Sequence, residues 1–173
     1  LMRKHLQGGR ITELRQRESE RIIEMDIEAL NELGFTVSRR LIIEIMSKHS
    51  NIVLVDIESG RIIDSIKRIS IDVNRYRQIL PGVIYQYPPA QDKIPFREVT
   101  ADTMLPHSDR ALMNRIGGIS PAISREMLVN CYDREDASIV SPWPAQRLLE
   151  IVNSVDDGSM TPRVYIDDKG TPR

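Results

Sequence analysis

The sequence predicts an α+β protein, an antiparallel β-rich lobe followed by a helical lobe, and three observations carry that prediction. Between 37 and 80, Ile, Val and Leu recur in short runs broken by turn residues, the pattern of an antiparallel meander. From 81 to 98 the chain turns to proline and tyrosine, with Pro81, Pro88, Pro89 and Pro95 around Tyr85 and Tyr87, and such a stretch stays extended and stiff. Beyond 98 the apolar spacing becomes helical, over roughly 99–116, 120–131 and 142–155. The expected organisation is a β lobe over 1–80, a connector over 81–98 and a helical lobe over 99–173, which closes on the start of a hairpin at 163–173.

Residues 1–7 (LMRKHLQ) read as the end of a helix stopped by Gly8-Gly9. Arg3, Lys4 and His5 suit the negative end of its dipole, and they also make a basic cluster open to an anion. Residues 10–17 form a weakly patterned strand. After a turn at Arg17-Glu18-Ser19 the next strand alternates, with Ile23, Met25 and Ile27 expected inward and Glu24, Asp26 and Glu28 outward. Arg21 falls in register with the apolar row. A charge heading a buried row is costly unless paired, so its expected partner is a carboxylate on a neighbouring strand, Glu44 first, or a ligand. The turn Asn31-Glu32-Leu33-Gly34 leads into the third strand, where Leu41, Ile43 and Ile45 alternate with Ile42, Glu44 and Met46. The run Ile52–Val55 makes the fourth strand; after Ser59-Gly60, Ile62, Ile63, Ile66 and Ile69 complete the sheet.

Function-like residues collect in the connections. Lys48, His49 and Asn51 join two strands, and Lys67, Arg68, Arg75 and Arg77 follow the last one with Asn74 and Tyr76 interleaved. A sheet presenting basic and amide groups at its rim can hold an anion. In the second half, RALMNRIGGISPAISREML (110–128) places Gly117-Gly118 between two helical patterns, with Ser120 suited to an N-cap and Pro121 to the first helical position. Free amides at Gly117, Gly118 and Ser120, near Arg110, Arg115 and Arg125, would suit a phosphate; an ordinary helical hairpin has the same appearance.

Composition bounds the function. Lys and Arg number 24 against 25 Asp and Glu, so no global field draws the chain to nucleic acid and any basic surface is local. Cys131, the one cysteine, cannot make an internal disulfide, which suits the cytoplasm. No apolar run approaches the roughly 18 residues of a membrane-spanning helix, so no membrane partner is expected. The ends, Leu1-Met2-Arg3 and Gly170-Thr171-Pro172-Arg173, read as cuts through a longer protein. No paired metal ligands, phosphate loop or nucleophile elbow are present, and His5, His49 and His107 are scattered; neither catalytic residues, a metal nor a cofactor are expected.

Six segments in order, LMRKHLQGGRI, KHSNIVLVD, IIDSIKRIS, NRYRQILPG, YPPAQDK and GGISPAISREML, resemble the N-terminal domain of the NFACT family of ribosome quality-control factors. The resemblance implies a fold similar to the formamidopyrimidine-DNA glycosylases, a β lobe followed by a helix-two-turn-helix lobe, with the family's opening β segment lying outside this chain. It implies none of the glycosylase chemistry, which depends on an N-terminal proline amine and a zinc finger. The implied partners are tRNA and the large ribosomal subunit with its stalled peptidyl-tRNA, where the family supports tailing of the nascent chain without mRNA. An Asp-Arg pair that the family uses for this work matches Glu20-Arg21 here, one methylene longer at the acid. Around it, Arg3, Lys4, His5, Lys48, His49, Asn51, Arg75 and Arg77 form the expected tRNA-binding set. The alternative implied by older names in the family is a surface adhesin for fibronectin or fibrinogen. A DNA-repair enzyme rests on fold analogy alone, which does not establish function.

Overall fold

The computed structural model describes residues 2–18, 20–100, 109–128, 143–161 and 170, with backbone placement alone at 109–111, 128, 143 and 144. A short helix α1 (Met2–Leu6) precedes five strands: β1 (Arg10–Gln16), β2 (Ile22–Leu30), β3 (Thr36–Glu44), β4 (Asn51–Asp56) and β5 (Ile62–Ser65). They lie in chain order in one sheet, each antiparallel to the one before, so the predicted meander is the observed one. Side chains build its turns. Asn31 Oδ1 accepts from the amides of Leu33 (3.0 Å) and Phe35 (2.9 Å), and the β2–β3 connection closes on Gly34 at φ 81°, where a Cβ would be strained. Asp56 Oδ1 takes both the amide (2.8 Å) and the hydroxyl (2.7 Å) of Ser59 in the β4–β5 turn.

Two expectations about the sheet need correction. The last strand stops at Ser65 rather than running to Ile69; Ile66 is exposed and Ile69 bridges to Ile79. More consequentially, the face of β2 that reads as solvated is the covered one. Glu24 and Asp26 are 3% and 8% exposed, while of the row expected inward Ile23 and Met25 are only half-buried and Ile27 alone is buried. Alternation separates two faces but does not say which one the rest of the chain will cover. Ile22, Ile42, Val53, Val55, Ile62 and Ile79 form the core on that face, with Tyr85 and Tyr87 packed against it.

The predicted connector is therefore divided. Residues up to Gln91 belong with the sheet, and the second unit begins at Asp92. That unit contains the two-residue strand β6 (Ile94–Pro95), a 3₁₀ turn at Phe96–Glu98, helix α2 (Asp109–Arg115), strand β7 (Ile116–Gly117), helix α3 (Pro121–Leu128) and helix α4 (Trp143–Asp156). The helix expected to start at 99 does not: Val99 is extended (φ −72°, ψ 129°), and α2 begins at Asp109. Val99, Leu112, Ile116, Met127, Ala145 and Leu148 make its core. Arg97 is held bidentately by Asp156 (2.5 and 2.8 Å), and Arg147 joins α4 to α3 through Glu126 (3.1 Å). The hairpin expected at 163–173 and the end of the helix expected at 120–131 lie outside the described residues.

Candidate nucleic-acid interface

Antiparallel pairing decides which connections share an end of the sheet. Ile22 at the start of β2 faces Glu44 at the end of β3, which faces Asn51 at the start of β4. The turn 17–21, the segment 45–50 and the stretch after Ser65 accordingly meet at one rim. Arg17, Arg21, Lys48, His49, Lys67, Arg68 and Arg75 are all exposed there, against the exposed acids Glu18 and Asp72.

The rim is held from beneath. Asn51 is buried and clips the Lys67 peptide from both sides: its Nδ2 donates to the Lys67 carbonyl (2.8 Å) and its Oδ1 accepts from the Lys67 amide (2.9 Å). Lys67 Nζ in turn donates to the Lys48 carbonyl at 3.2 Å. The Arg17 guanidinium stacks 3.8 Å above the centre of the Tyr87 ring. Asn51 thus fixes the Lys67 backbone from a buried position.

Under the rim lies a buried ionic pair. Arg77 reaches Glu44 with both terminal nitrogens (2.7 and 2.5 Å), and the Tyr85 hydroxyl donates to the same carboxylate at 2.6 Å. This overturns the expected Arg21–Glu44 pair, because the chain returns over the sheet and brings Arg77 to the acid first. It also removes Arg77 from the accessible set. Arg21 lies exposed with no hydrogen bond or ion pair on its guanidinium among the described residues, and its carbonyl accepts from Ile45 (2.8 Å). Glu20, half-buried beside it, accepts from Gln16 Nε2 through its carbonyl (2.9 Å), leaving its side chain unpaired among the described residues.

Further along the same face Glu24 accepts from the Tyr87 hydroxyl (2.5 Å) and pairs with Arg15 (2.6 Å), while Asp26 is clamped by Arg40 (2.7 and 2.8 Å). The hydrogen bonds from Arg40 hold the Asp26 carboxyl below the usual range despite its burial, and burial followed by Glu24 pushes the Tyr87 phenol up. A carboxyl depressed in the folded state stabilises the fold above its unfolded pKa and loses that contribution as pH falls through the folded value. Stability is thus expected to fall on acidification below about pH 4. Asp26→Asn should flatten that part of the curve in thermal melts taken across pH, and an unchanged curve would mean that Asp26 is not the group titrating.

The remaining expected residues lie elsewhere. Arg3, Lys4 and His5 sit at the opposite end of the sheet, beside the 31–34 turn, where Lys4 pairs with Glu32. Burial and then Arg39 lower the His5 pKa. Nine-residue β2 separates the two ends by roughly 27 Å, so the expected set is two clusters, not one. In the second unit, Gly118 has φ 83°, suited to glycine, but the turn is partly used: Gly117 bridges to Pro95 and Ser120 Oγ accepts from the Ile123 amide (3.2 Å). Arg125 folds onto its own helix, donating to the Pro121 carbonyl (3.2 Å). The residues missed from sequence are Arg15, Arg17, Arg40, Tyr85 and Tyr87. One signal was present: Tyr85 and Tyr87 stand two apart in an extended stretch and so face the same way.

A sheet with an ion-paired underside and a basic rim is followed along the chain by a small helical unit. The chain belongs to the NFACT family: the model described as NFACT N-terminal and middle domains matches residues 1–173. It is 40% identical over 133 residues to the Rqc2 homolog RqcH of Bacillus subtilis (strain 168), covering 73% of this chain and 23% of that protein. It is 45% identical over 94 residues to RqcH of Streptococcus pneumoniae serotype 2, covering 54% of this chain and 17% of that protein. The chain therefore spans about a quarter or less of the curated relatives it matches. Among solved structures, the fibrinogen binding protein from Staphylococcus aureus superposes with a TM-score of 0.75 at 30% identity, over 99% of this chain and 63% of that one. The N-terminal part of the fibronectin/fibrinogen-binding protein from Streptococcus suis gives 0.73 at 27%, over 98% and 60%.

Proposed function

We propose that this chain is the RNA-binding N-terminal region of a ribosome quality-control factor, contacting tRNA and the large ribosomal subunit in the cytoplasm while the whole protein supports C-terminal tailing of stalled nascent chains. The observation that carries the proposal is the rim: exposed cations from three separate connections, among them Arg21, unpaired among the described residues, on a chain whose net charge is −1. A local cationic patch on a nearly neutral protein suits a phosphate backbone, whose binding releases counterions. Membership of the NFACT family and the RqcH relatives support the same reading. On this reading the chain binds and does not catalyse, and its two lobes are glycosylase-like without that chemistry.

The structural neighbours, a fibrinogen binding protein and a fibronectin/fibrinogen-binding protein, favour binding of those proteins as the second reading. Filter binding to tRNA, duplex DNA and fibronectin at matched salt separates the readings. The expected result is tRNA retention that falls steeply with salt, weaker DNA retention and none of fibronectin. Salt-independent capture of fibronectin without tRNA would overturn the proposal.

A further inference from the structure

The loop between Ile69 and Ile79 has so far entered the rim only through exposed Arg75. Its ends are pinned together by two mutual backbone bonds, Ile69 N to Ile79 O (3.0 Å) and Ile79 N to Ile69 O (2.8 Å). Inside it, the amides of Val73 (3.1 Å) and Asn74 (3.0 Å) both donate to the Ser70 carbonyl. Asn74 Oδ1 then accepts from the Tyr76 amide at 2.9 Å, and the next residue, Arg77, is locked to buried Glu44. A closed surface loop with internal bonds and a buried anchor is a preorganised one. What it presents is the Tyr76 ring, 81% exposed, next to exposed Arg75, with Ile71 and Val73 exposed in the same loop.

A lone exposed tyrosine on a surface is ordinary. This one differs in being fixed between an Asx turn and a buried ion pair, at the rim that carries Lys67 and Arg68. We infer that Tyr76 is a stacking platform for an unpaired RNA base, with Arg75 serving the adjoining phosphate. The inference rests on the RNA-binding reading above and adds its ligand class: single-stranded nucleotides, such as a loop or end of tRNA, rather than duplex. Every base offers a π-face, so such a platform grips loops and ends without selecting sequence.

The test compares tRNA with a blunt RNA duplex on the 173-residue chain. Tyr76→Ala should lose roughly ten-fold in tRNA affinity, within what one base–aromatic stack supports, while Tyr76→Phe keeps it. Duplex affinity, the slope of log affinity against log salt and the melting temperature should all stay put, since no phosphate contact is lost. Tyr76→Ala binding tRNA like the parent, or losing duplex equally, would overturn the inference and leave the loop as a protein-docking element. If the parent binds no tRNA, the RNA-binding reading itself falls. Tyr76→Trp then tests the platform alone: quenching of the new indole by a single-stranded oligonucleotide sustains it, and none rejects it.

Discussion

Glu44→Ala is expected to cost the sheet about 3–5 kcal/mol, the usual penalty for stripping one partner from a buried ion pair. Glu44 is 1% exposed and accepts from both terminal nitrogens of Arg77 and from the Tyr85 hydroxyl. Removing it leaves a guanidinium that is itself 8% exposed without a counter-charge, and the hydroxyl of half-buried Tyr85 without its acceptor. For a unit of this size the melting temperature should drop by roughly 15 °C or more. The double variant Glu44→Leu with Arg77→Met should recover much of the loss, because an apolar pair of similar volume needs no neutralisation. Thermal unfolding of the single and double variants is the measurement. A Glu44→Ala protein that melts like its parent would mean that the pair does not hold residues 70–87 to the sheet.

Arg21→Glu should do the reverse, sparing the fold and removing the ligand. The side chain is exposed and makes no bond among the described residues, so its replacement should alter stability by no more than about 0.5 kcal/mol. Reversing a charge at the centre of the basic rim should weaken tRNA binding by roughly ten-fold or more and flatten its salt dependence. Arg21→Lys should fall between, since it keeps the charge but not the planar fork that matches a phosphate. Unchanged tRNA binding by Arg21→Glu, with binding intact in the parent, would remove Arg21 from the site and with it the role implied by the Glu20-Arg21 match. A lower melting temperature in place of weaker binding would make Arg21 a structural residue after all.

The two variants differ because the sequence shows charge and spacing but not burial. Along the chain Arg21 and Arg77 both read as cations open to a ligand. Only the return of residues 66–87 across the sheet distinguishes them, by bringing Arg77 to Glu44 across a separation of 33 residues. The same return brings the Tyr87 hydroxyl onto buried Glu24, which, like buried Asp26, local alternation assigns to water. Cross-strand Arg15 and Arg40 and the Tyr87 hydroxyl make that burial tolerable, and none of those three neighbours lies within reach along the chain.

What the sequence by itself determined is what short-range chemistry dictates: five strands in meander order, helix α1 ending at Gly8-Gly9, the Asn31 and Ser59-Gly60 turns, the Ser120 cap of α3 and the NFACT motifs. Each depends on residues a few positions apart. The tertiary structure decided which face of the sheet was covered, where the connector joined it, and that Arg3, Lys4 and His5 lie a full strand's length from Arg21. Those outcomes depend on which distant segment neutralises or covers a given side chain, and a local pattern holds no record of its distant partner.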